Sequence, residues 1–407
     1  MPILSRFKST VLLLFLMFSA CKGQQKEPNS TSETKIEAPA PIKVAANKTE
    51  VYLPLLKGKT VGVVANPTSV IFKEKGYTHL VDTLLSSGID VKKVFAPEHG
   101  FRGTADAGEH VKDGMDTQTG LPIISLYGKN RKPSQEQLSE LDIIVFDIQD
   151  VGVRFYTFIA SLQLVMEACA ENNVPILVLD RPNPNGHYVD GPTMLKEHAG
   201  YLGMNTIPLV YGMTMGEYAQ MLNGEGWLEN GIKADLTVIK LENYTHESEY
   251  HLPIRPSPNL PNDTSITLYP SLGLFEGTNV NAGRGTEFQF QRYGASFMDS
   301  TAYDFSYVPE PNFGSKYPKE EGKTCYGNDL SNTPRMSEVT MQWIIDAYNN
   351  TSDKSKFFLT SGFTKHAGTP LLQQQIEQGM TNEEIKATWQ NDLESFKKIR
   401  EKYLIYD

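Results

Sequence analysis

Residues 60–65 read TVGVVA, a continuous run of apolar and β-branched side chains from Thr60 to Ala65. Such a run is typical of a strand that is buried on both faces, as in a parallel sheet. Comparable runs recur along the chain at 91–96, 121–126, 143–146, 176–179 and 236–239. The intervening segments predict helices over 79–87, 134–141, 155–172 and 215–223. Strands and helices that alternate in this way predict an α/β fold with a parallel sheet.

The first predicted strand is followed by Asn66-Pro67-Thr68-Ser69 rather than by the G-x-G-x-x-G turn of dinucleotide-binding domains. The glycines of that turn let the backbone approach a pyrophosphate closely. We therefore predict a Rossmann-like parallel-sheet domain that binds no dinucleotide, and we expect no cofactor.

A proline-rich stretch at 253–262 (PIRPSPNLPN) interrupts this pattern and is a candidate domain boundary. We predict a Rossmann-like domain over 49–262 and a second domain over 263–407. Helices are predicted at 337–349 and 370–378, and Thr381 is a suitable N-cap for a last helix that extends to about residue 402.

The N-terminus reads as an export signal. Arg6 and Lys8 precede an apolar core at 11–18, which is too short to span a membrane, and Ser19-Ala20-Cys21 follows. This pattern predicts a lipoprotein-type signal peptide over 1–21 with lipidation of Cys21; ordinary signal cleavage nearby is the alternative. Residues 22–48 are polar and rich in Pro, Ser and Thr, which predicts a disordered tether. The expected location is therefore outside the cytoplasm, in the periplasm, with the membrane contacted through the lipid anchor only.

The charge balance argues against nucleic acid as a partner. The formal net charge is −10 and the pI is near 5.4, so no broad cationic surface exists to attract nucleic acid. The three cysteines show no metal-ligand spacing, and we predict no metal site.

Polar and ionisable side chains follow successive predicted strands. In chain order they are Asn66; Glu98 and His99; Tyr127; Asp147, Gln149, Asp150, Arg154 and Tyr156; and Asp180, Arg181 and Asn183. Since ligands bind outside the carboxyl ends of parallel strands, we predict that this edge of the sheet forms an active-site cleft. The alternative is structural: Asp147 and Asp180 can cap helices or pair with Arg154 and Arg181, and Glu98 can pair with Arg102.

Several long motifs occur in a fixed order. They are FAPEHGFRG at 95–103, DAGEHVKDGMDTQTGLPIISLYG at 106–128, IIVFDIQDVGVRFYTF at 143–158, LVLDRPNPNG at 177–186, PSPNLPN at 256–262, YPSLGLFEGTNVNAGRGTEFQFQRYGA at 269–295 and KYLIYD at 402–407. Together they resemble the NamZ-type exo-β-N-acetylmuramidase family from about residue 51 to the C-terminus. The resemblance implies release of non-reducing terminal N-acetylmuramic acid from peptidoglycan-derived muropeptides or disaccharides. It also implies that the Rossmann-like domain over 49–262 is catalytic and that the domain over 263–407 is a second, smaller α/β C-terminal domain that completes the cleft.

The resemblance also orders the candidate site residues. Glu98 is the first choice for a catalytic carboxylate, with His99 orienting it, Glu276 facing it across the cleft and Asp147 in reserve. Arg102, Arg154 and Arg284 are candidates to bind the lactyl carboxylate of muramic acid, because guanidinium groups pair with carboxylates in bidentate fashion. The remaining candidate substrate contacts are Asn66, Gln149, Asp150, Tyr156, Asp180, Arg181 and Asn279.

The mechanism and two other functions stay open at this point. Carboxyl groups about 5–5.5 Å apart indicate retention and about 6.5–9.5 Å inversion, while a 2-acetamido sugar also permits substrate assistance. A non-catalytic muropeptide-binding lipoprotein would use the same cleft for recognition alone. A metal-dependent hydrolase would use His99, Asp147, Asp150 and Asp180.

Overall fold

A twisted sheet of seven strands lies at the centre of the computed structural model, which describes residues 40–98, 100–102 and 113–407. The strands of this part of the chain are β1 (Thr60–Ala65), β2 (Val70–Phe72), β3 (Tyr77–His79), β4 (Asp90–Ala96), β5 (Gly114–Met115), β6 (Pro122–Ser125), β7 (Ile143–Asp147), β8 (Ile176–Leu179), β9 (Leu236–Ile239), β10 (Arg292–Ala295), β11 (Phe305–Tyr307) and β12 (Cys325–Asp329). The helices are α1 (Thr49–Leu56), α2 (Leu80–Ser86), α3 (Gln135–Leu138), α4 (Phe158–Asn172), α5 (Met215–Gly224), α6 (Asp263–Leu272), α7 (Gln342–Asn349), α8 (Thr360–Ala367), α9 (Leu371–Glu377), α10 (Asn382–Thr388) and α11 (Gln390–Arg400).

The strand order in the central sheet is β5-β6-β4-β1-β7-β8-β9. All the strand pairs are parallel except β5 with β6, which is antiparallel. Numbered along the chain, the parallel strands take the order 3-2-1-4-5-6, which is that of Rossmann-type domains. The predicted α/β class and parallel sheet are confirmed.

The strand core is apolar on both faces, as the run at 60–65 indicated. Val64 belongs to one hydrophobic cluster and Val63 to the cluster on the opposite side, because successive side chains of a strand point to opposite faces. Gly62 has no room for a side chain: a Cβ there would lie 2.7 Å from Ile144 Cδ1. On that face β1 therefore packs closely against side chains of the neighbouring strands β4 and β7.

The residues beyond 262 add a second, antiparallel sheet and most of the remaining helices. Strands β10, β12 and β11 lie side by side in that order. Asn262 caps α6, and its side chain accepts a hydrogen bond from Ser265 N. The chain from 41 to 407 forms one compact unit, so the domain boundary at 262 stays a prediction.

Several predicted helices differ in their bounds from the structure, among them α3, which ends at Leu138 rather than at 141. Helix α4 begins at Phe158 rather than at 155, because Val153 pairs with Val210 and the following residues form a turn in which Tyr156 N donates to Val153 O. The helix expected over 337–349 begins only at Gln342. The last helix breaks at Trp389, whose indole N–H donates to Asp190 Oδ1 at 3.0 Å.

The tether predicted over 22–48 ends earlier than expected. Val44, Ala45 and Ala46 are buried, and Ala45 N donates to Asp180 O. This short apolar run packs beside the sheet although its flanks are polar. Residues 1–39, with the predicted signal peptide and Cys21, lie outside the described residues. No helix in the described ranges is long and apolar enough to cross a membrane.

The C-terminal residues return to the first sheet. Tyr406 donates its hydroxyl proton to Asp180 Oδ2 at 2.7 Å and accepts from Leu241 N at 2.9 Å. Ile405 N donates to Glu217 Oε1 at 2.8 Å, and His246 N donates to Asp407 O. The end of the chain thus supplies hydrogen-bond partners to buried groups of the N-terminal sheet.

Candidate active site

A pocket of about 280 Å³ lies where segments that follow β4 and β7 meet residues from beyond 250. Its lining is rich in aromatic side chains but includes two carboxylates, a guanidinium and an imidazole. The lining residues are Glu98, Phe155, Tyr156, Thr157, Phe158, Leu202, Ser257, Asn259, Leu260, Tyr269, Glu276, Arg284, Phe290 and His366. Apolar walls that meet convergent polar groups are a usual feature of small-molecule sites.

Glu98 reaches this pocket from the end of β4, where Pro97 interrupts the strand. Thr157 Oγ1 donates to Glu98 Oε2 at 3.3 Å. Burial raises the pKa of the nearby Tyr127 to about 12, and the Glu98 carboxylate contributes in the same direction. Tyr127 therefore remains a neutral phenol beside this carboxylate at neutral pH.

Glu276 enters the pocket from a 3₁₀ turn at Gly273–Gly277. Arg284 Nη1 donates to Glu276 Oε2 at 3.0 Å. Lys319 Nζ fixes the turn itself by donating to the carbonyls of Phe275, Glu276 and Thr278. Burial acts to raise the pKa of Glu276, but the charges of Arg284 and Lys319 outweigh it and hold the pKa below its ordinary value. Glu276 is therefore a carboxylate at neutral pH.

Arg284 stands between two glycines whose conformations only glycine adopts easily. Gly283 and Gly285 have φ of +77° and +80°. A Cβ on Gly283 would lie 2.4 Å from Phe288 O, and one on Gly285 would lie 2.7 Å from Pro318. This tight loop directs the guanidinium toward Glu276 and Gly314 O, to which Arg284 Nη2 donates at 3.3 Å.

His366 contributes the imidazole from the last turn of α8. Its Nδ1 lies 2.8 Å from Gly362 O, and because a carbonyl only accepts, Nδ1 carries the proton. Burial lowers the pKa of His366 below its ordinary value. The ring is therefore neutral at neutral pH, with Nε2 as an acceptor.

Aromatic rings form the wall between these groups. Tyr269 packs edge to face against Phe155, Tyr156 and Phe290, with ring centroids 5.2, 6.0 and 4.8 Å apart. Tyr156 donates its hydroxyl proton to Pro256 O at 2.6 Å. Interlocked rings of this kind give the pocket a rigid shape.

Of the residues predicted from the sequence, Glu98, Tyr156, Glu276 and Arg284 line this pocket. His99, predicted to orient Glu98, lies outside the described residues. Asp147, Asp180 and Arg181 do not line it. Their side chains form hydrogen bonds with one another or with other groups inside the protein. Arg181 Nε and Nη2 bind Asp147 at 2.6 and 2.8 Å, and Asp180 accepts from Thr214 Oγ1 at 2.7 Å.

The other predicted substrate contacts also have partners within the protein. Asn66 Oδ1 accepts from Thr68 N, and Gln149 Nε2 donates to Pro182 O at 2.6 Å. Asp150 is buried beneath the pocket, where it accepts from Tyr211 OH and Gly152 N. Burial raises the pKa of Asp150 to about 7. These side chains are buried at the edge of the sheet and do not line the pocket.

Two of the three arginines assigned to the lactyl carboxylate are placed elsewhere, which corrects that assignment. Arg102 binds Asp82 and Asp116, each in bidentate fashion. Arg154 is wholly buried and donates to backbone carbonyls. Asn279 donates to Lys356 O at 2.6 Å and lines a different cavity.

The pocket also contains residues that we did not predict from the sequence, above all His366, Tyr269, Asn259 and Ser257. The last three lie within the motifs at 256–262 and 269–295, so those motifs could have indicated them as site residues. His366 lies in a helix without a distinctive motif. Within the described ranges, no three His, Cys, Asp or Glu side chains are grouped so that they could bind a metal ion.

Two family models together match nearly the whole described body. Residues 61–264 match the N-terminal model described as exo-beta-N-acetylmuramidase NamZ, and residues 267–406 match the corresponding C-terminal model. A relative from Bacillus subtilis strain 168, named peptidoglycan beta-N-acetylmuramidase NamZ, is 37% identical over 96% of this chain and 97% of its own length.

Solved structures share the fold. Two crystal structures of DUF1343 family proteins from Bacteroides fragilis NCTC 9343 superpose with TM-scores of 0.83 and 0.73, at 43% and 28% identity. Each alignment covers 90% of this chain and 99% of the other.

Proposed function

This chain belongs to the exo-β-N-acetylmuramidase NamZ family, and we infer that it is a glycoside hydrolase that releases non-reducing terminal N-acetylmuramic acid from peptidoglycan fragments. Its substrates are muropeptides or disaccharides derived from peptidoglycan.

The observation that carries this function is the pairing of carboxylates in one pocket. Glu98 comes from the segment matched by the N-terminal model and Glu276 from the segment matched by the C-terminal model. Glycoside hydrolysis uses two such groups, one to protonate the leaving oxygen and one to attack, or to activate water. Five aromatic side chains belong to the lining, Phe155, Tyr156, Phe158, Tyr269 and Phe290, and such rings suit the apolar faces of a sugar ring.

We assign the proton-donor role to Glu98. The hydroxyl groups of Thr157 and Tyr127 lie near it, and the assignment rests on the state of the second carboxylate. Glu276 lies instead beside Arg284 and Lys319, whose charges keep it ionised. An ionised carboxylate suits the group that stabilises positive charge at the anomeric carbon or activates water.

We assign recognition of the lactyl carboxylate to Arg284. It is the guanidinium in the pocket lining, and its side chain is 23% exposed. The carboxylate distinguishes muramic acid from N-acetylglucosamine, so a cation at this place provides selectivity.

Glu98→Gln tests the function. The amide keeps the shape of the side chain but has no acidic proton to donate, so kcat on a chromogenic N-acetylmuramic acid glycoside should fall at least about 100-fold. The melting temperature should stay within a few degrees of wild type. Turnover by this variant at the wild-type rate would remove Glu98 from the mechanism.

A wild-type measurement separates hydrolysis from binding alone. The protein is incubated with a disaccharide that has muramic acid at its non-reducing end, and free N-acetylmuramic acid is measured. A stable complex without released sugar would favour a muropeptide-binding protein. Activity that persists after chelation would argue against a metal-dependent hydrolase.

We further propose that the chain is exported and anchored in a membrane through a lipid on Cys21. The support is the sequence Ser19-Ala20-Cys21 after an apolar core, followed by a polar segment. Cys21→Ser should move the protein from the membrane fraction to the soluble fraction. An unchanged distribution would contradict anchoring at this residue.

A further inference from the structure

Arg154 is one of the largest wholly buried side chains of the protein, with no exposed surface. Its Nη1 donates to Pro192 O at 2.7 Å and to Ile207 O at 3.0 Å. Its Nη2 donates to His366 O at 2.9 Å. The guanidinium thus joins segments that lie far apart in the sequence, and one of them bears the pocket histidine.

The acceptors of this buried cation are carbonyl groups. No ion pair of Arg154 with a carboxylate is present among the described residues, and burial lowers the pKa of its guanidinium to about 9. The C-terminus of a helix favours a cation, because its last carbonyls lack partners within the helix and carry partial negative charge. Helix α8 ends beside Arg154, so its last turn helps to stabilise the buried charge.

Two glycines leave the space that Arg154 occupies. A Cβ on Gly368, the residue that caps α8, would lie 2.8 Å from Arg154 Nη2. A Cβ on Gly203 would lie 2.9 Å from Arg154 Cδ. Gly368 also has φ of +84°, so its conformation too favours glycine. The chain is built closely around this guanidinium.

The neighbour of Arg154 contacts the same histidine. The ring of Phe155 lies 5.5 Å from the ring of His366, measured between centroids. Consecutive residues after β7 therefore contact His366, one through its carbonyl and the other through its ring. Together with the bond from Nδ1 to Gly362 O, these contacts fix the imidazole that lines the pocket.

We propose that Arg154 is a positioning residue, which fixes the end of α8 and thereby the place of the His366 imidazole in the active pocket. It contacts no substrate. The proposal rests on the hydrolase function proposed above and gives the arginine of the motif at 143–158 a role other than carboxylate recognition.

The proposal has a kinetic consequence. Without Arg154, the carbonyl of His366 loses its donor and the end of α8 is no longer fixed. Misplacement of a pocket group by about 1 Å can cost about 100-fold in rate. A side chain that acted only in folding would change the stability and leave the kcat of the folded enzyme unaltered.

It also has a consequence for pH. The charged groups that act on His366 are Glu276, which raises its pKa, and Lys319 and Arg154, which lower it. Removal of the Arg154 cation therefore raises the pKa of His366. If the neutral ring is the active form, the acidic limb of the kcat profile moves to higher pH in Arg154→Met.

The experiment compares Arg154→Met and Arg154→Lys with wild type, each alone and combined with His366→Gln. Arg400→Met is the matched control, because Arg400 also binds a backbone carbonyl, Gly212 O, but lines no part of the pocket. The measurements are kcat, KM and the pH profile on the chromogenic muramic acid glycoside, with melting temperatures.

We expect Arg154→Met to lower kcat about 10- to 100-fold with little change in KM. Arg154→Lys keeps a cation and should recover part of the rate. Arg400→Met should lower the melting temperature but not kcat. In the His366→Gln background, Arg154→Met should cause little further loss, because its effect acts through that ring.

Two results would overturn the proposal: wild-type kcat in Arg154→Met, or losses that multiply in the double variant. A KM effect without a kcat effect would indicate substrate contact instead. If Arg154→Met gives no soluble protein, Gly203→Ala replaces it, since the added methyl group would meet the side chains of Arg154 and Met194 and leave the cap of α8 unchanged. Release of N-acetylmuramic acid by wild type is measured first, so failure of the function is distinguished from failure of the positioning role.

Discussion

Arg284 has two tasks at the scale of single residues. It holds the ionised Glu276 through Nη1 and, in the proposed function, receives the substrate carboxylate. A residue with both tasks affects rate and selectivity together. Its position between two glycines of positive φ lets the loop hold the guanidinium close to Glu276 and to Gly314 O.

Arg284→Met should therefore raise KM for a muramic acid glycoside about 10-fold or more, because a charge-assisted pair contributes roughly 1.5–3 kcal/mol. KM for the matching N-acetylglucosamine glycoside should change much less, whatever the loss of kcat through Glu276. Steady-state kinetics on both substrates measures the difference. Equal KM changes on the two sugars would remove Arg284 from carboxylate recognition.

The sequence predicted some site residues and misplaced others for a physical reason. Glu98 and Arg284 were found because they stand beside prolines or glycines that break regular structure. Asp147 and Arg154 also follow a strand, but strand position alone does not reveal which way a side chain points or what it pairs with. His366 was missed because a helical histidine has no spacing that marks it.

At the scale of elements, the contact between α8 and the turn at 273–277 shapes the pocket. One element carries His366 and the other Glu276, so their packing sets the relation between an imidazole and a carboxylate. Gly277 allows the close approach: a Cβ there would lie 2.4 Å from Phe363 Cα and 2.7 Å from Phe363 N.

Gly277→Ala should separate these elements, since backbone atoms cannot yield as a flexible side chain can. We expect a melting temperature lower by several degrees, corresponding to about 1–3 kcal/mol, together with reduced kcat. Thermal denaturation and the chromogenic assay measure both.

Gly362→Ala is the control on the facing helix. Its nearest neighbour would be Gly277 Cα at 3.8 Å, an ordinary contact, and alanine favours a helix by about 0.5–1 kcal/mol over glycine. This variant should be as stable as wild type or more so. A similar loss in both variants would show that Gly277 has no special packing role.

The type of an element was predictable where a run of apolar residues was continuous and ended at polar or turn residues, as at β1 and β8. The antiparallel strands β10 to β12 were not predicted, because they mix polar and apolar residues and include Gly294 and Gly327 rather than a continuous apolar run. A Cβ on Gly327 would lie 1.9 Å from Tyr293 O, so this strand depends on close backbone contact that no hydrophobic pattern reveals.

At the scale of the whole molecule, the C-terminal residues complete the N-terminal sheet. Tyr406 is 226 residues from its partner Asp180, and both are buried. Parallel pairing and short connections were predictable from alternation along the chain. This long-range closure was not, because a terminal tyrosine carries no mark of its partner.

Tyr406→Phe should lower the free energy of unfolding by about 1–3 kcal/mol, because it leaves Leu241 N unpaired and removes one donor from Asp180 Oδ2, which keeps its bond from Thr214 Oγ1. Chemical denaturation measures the change. Tyr403→Phe is the control in the same tail, since its hydroxyl binds Glu225, which solvent also reaches. It should cost less than about 1 kcal/mol. Equal losses would contradict a special role for Tyr406.

The bond from Tyr406 to Asp180 also sets an order of events in biosynthesis. The ribosome makes the central strands long before it makes residue 406, and closing so large a loop has an entropic cost. Until that residue emerges, Asp180 lacks one of its donors, and the nascent sheet is less stable than the finished one. The hydrogen-bond network around Asp180, which also includes Thr214 and Gly216, is therefore complete only when residue 406 is in place.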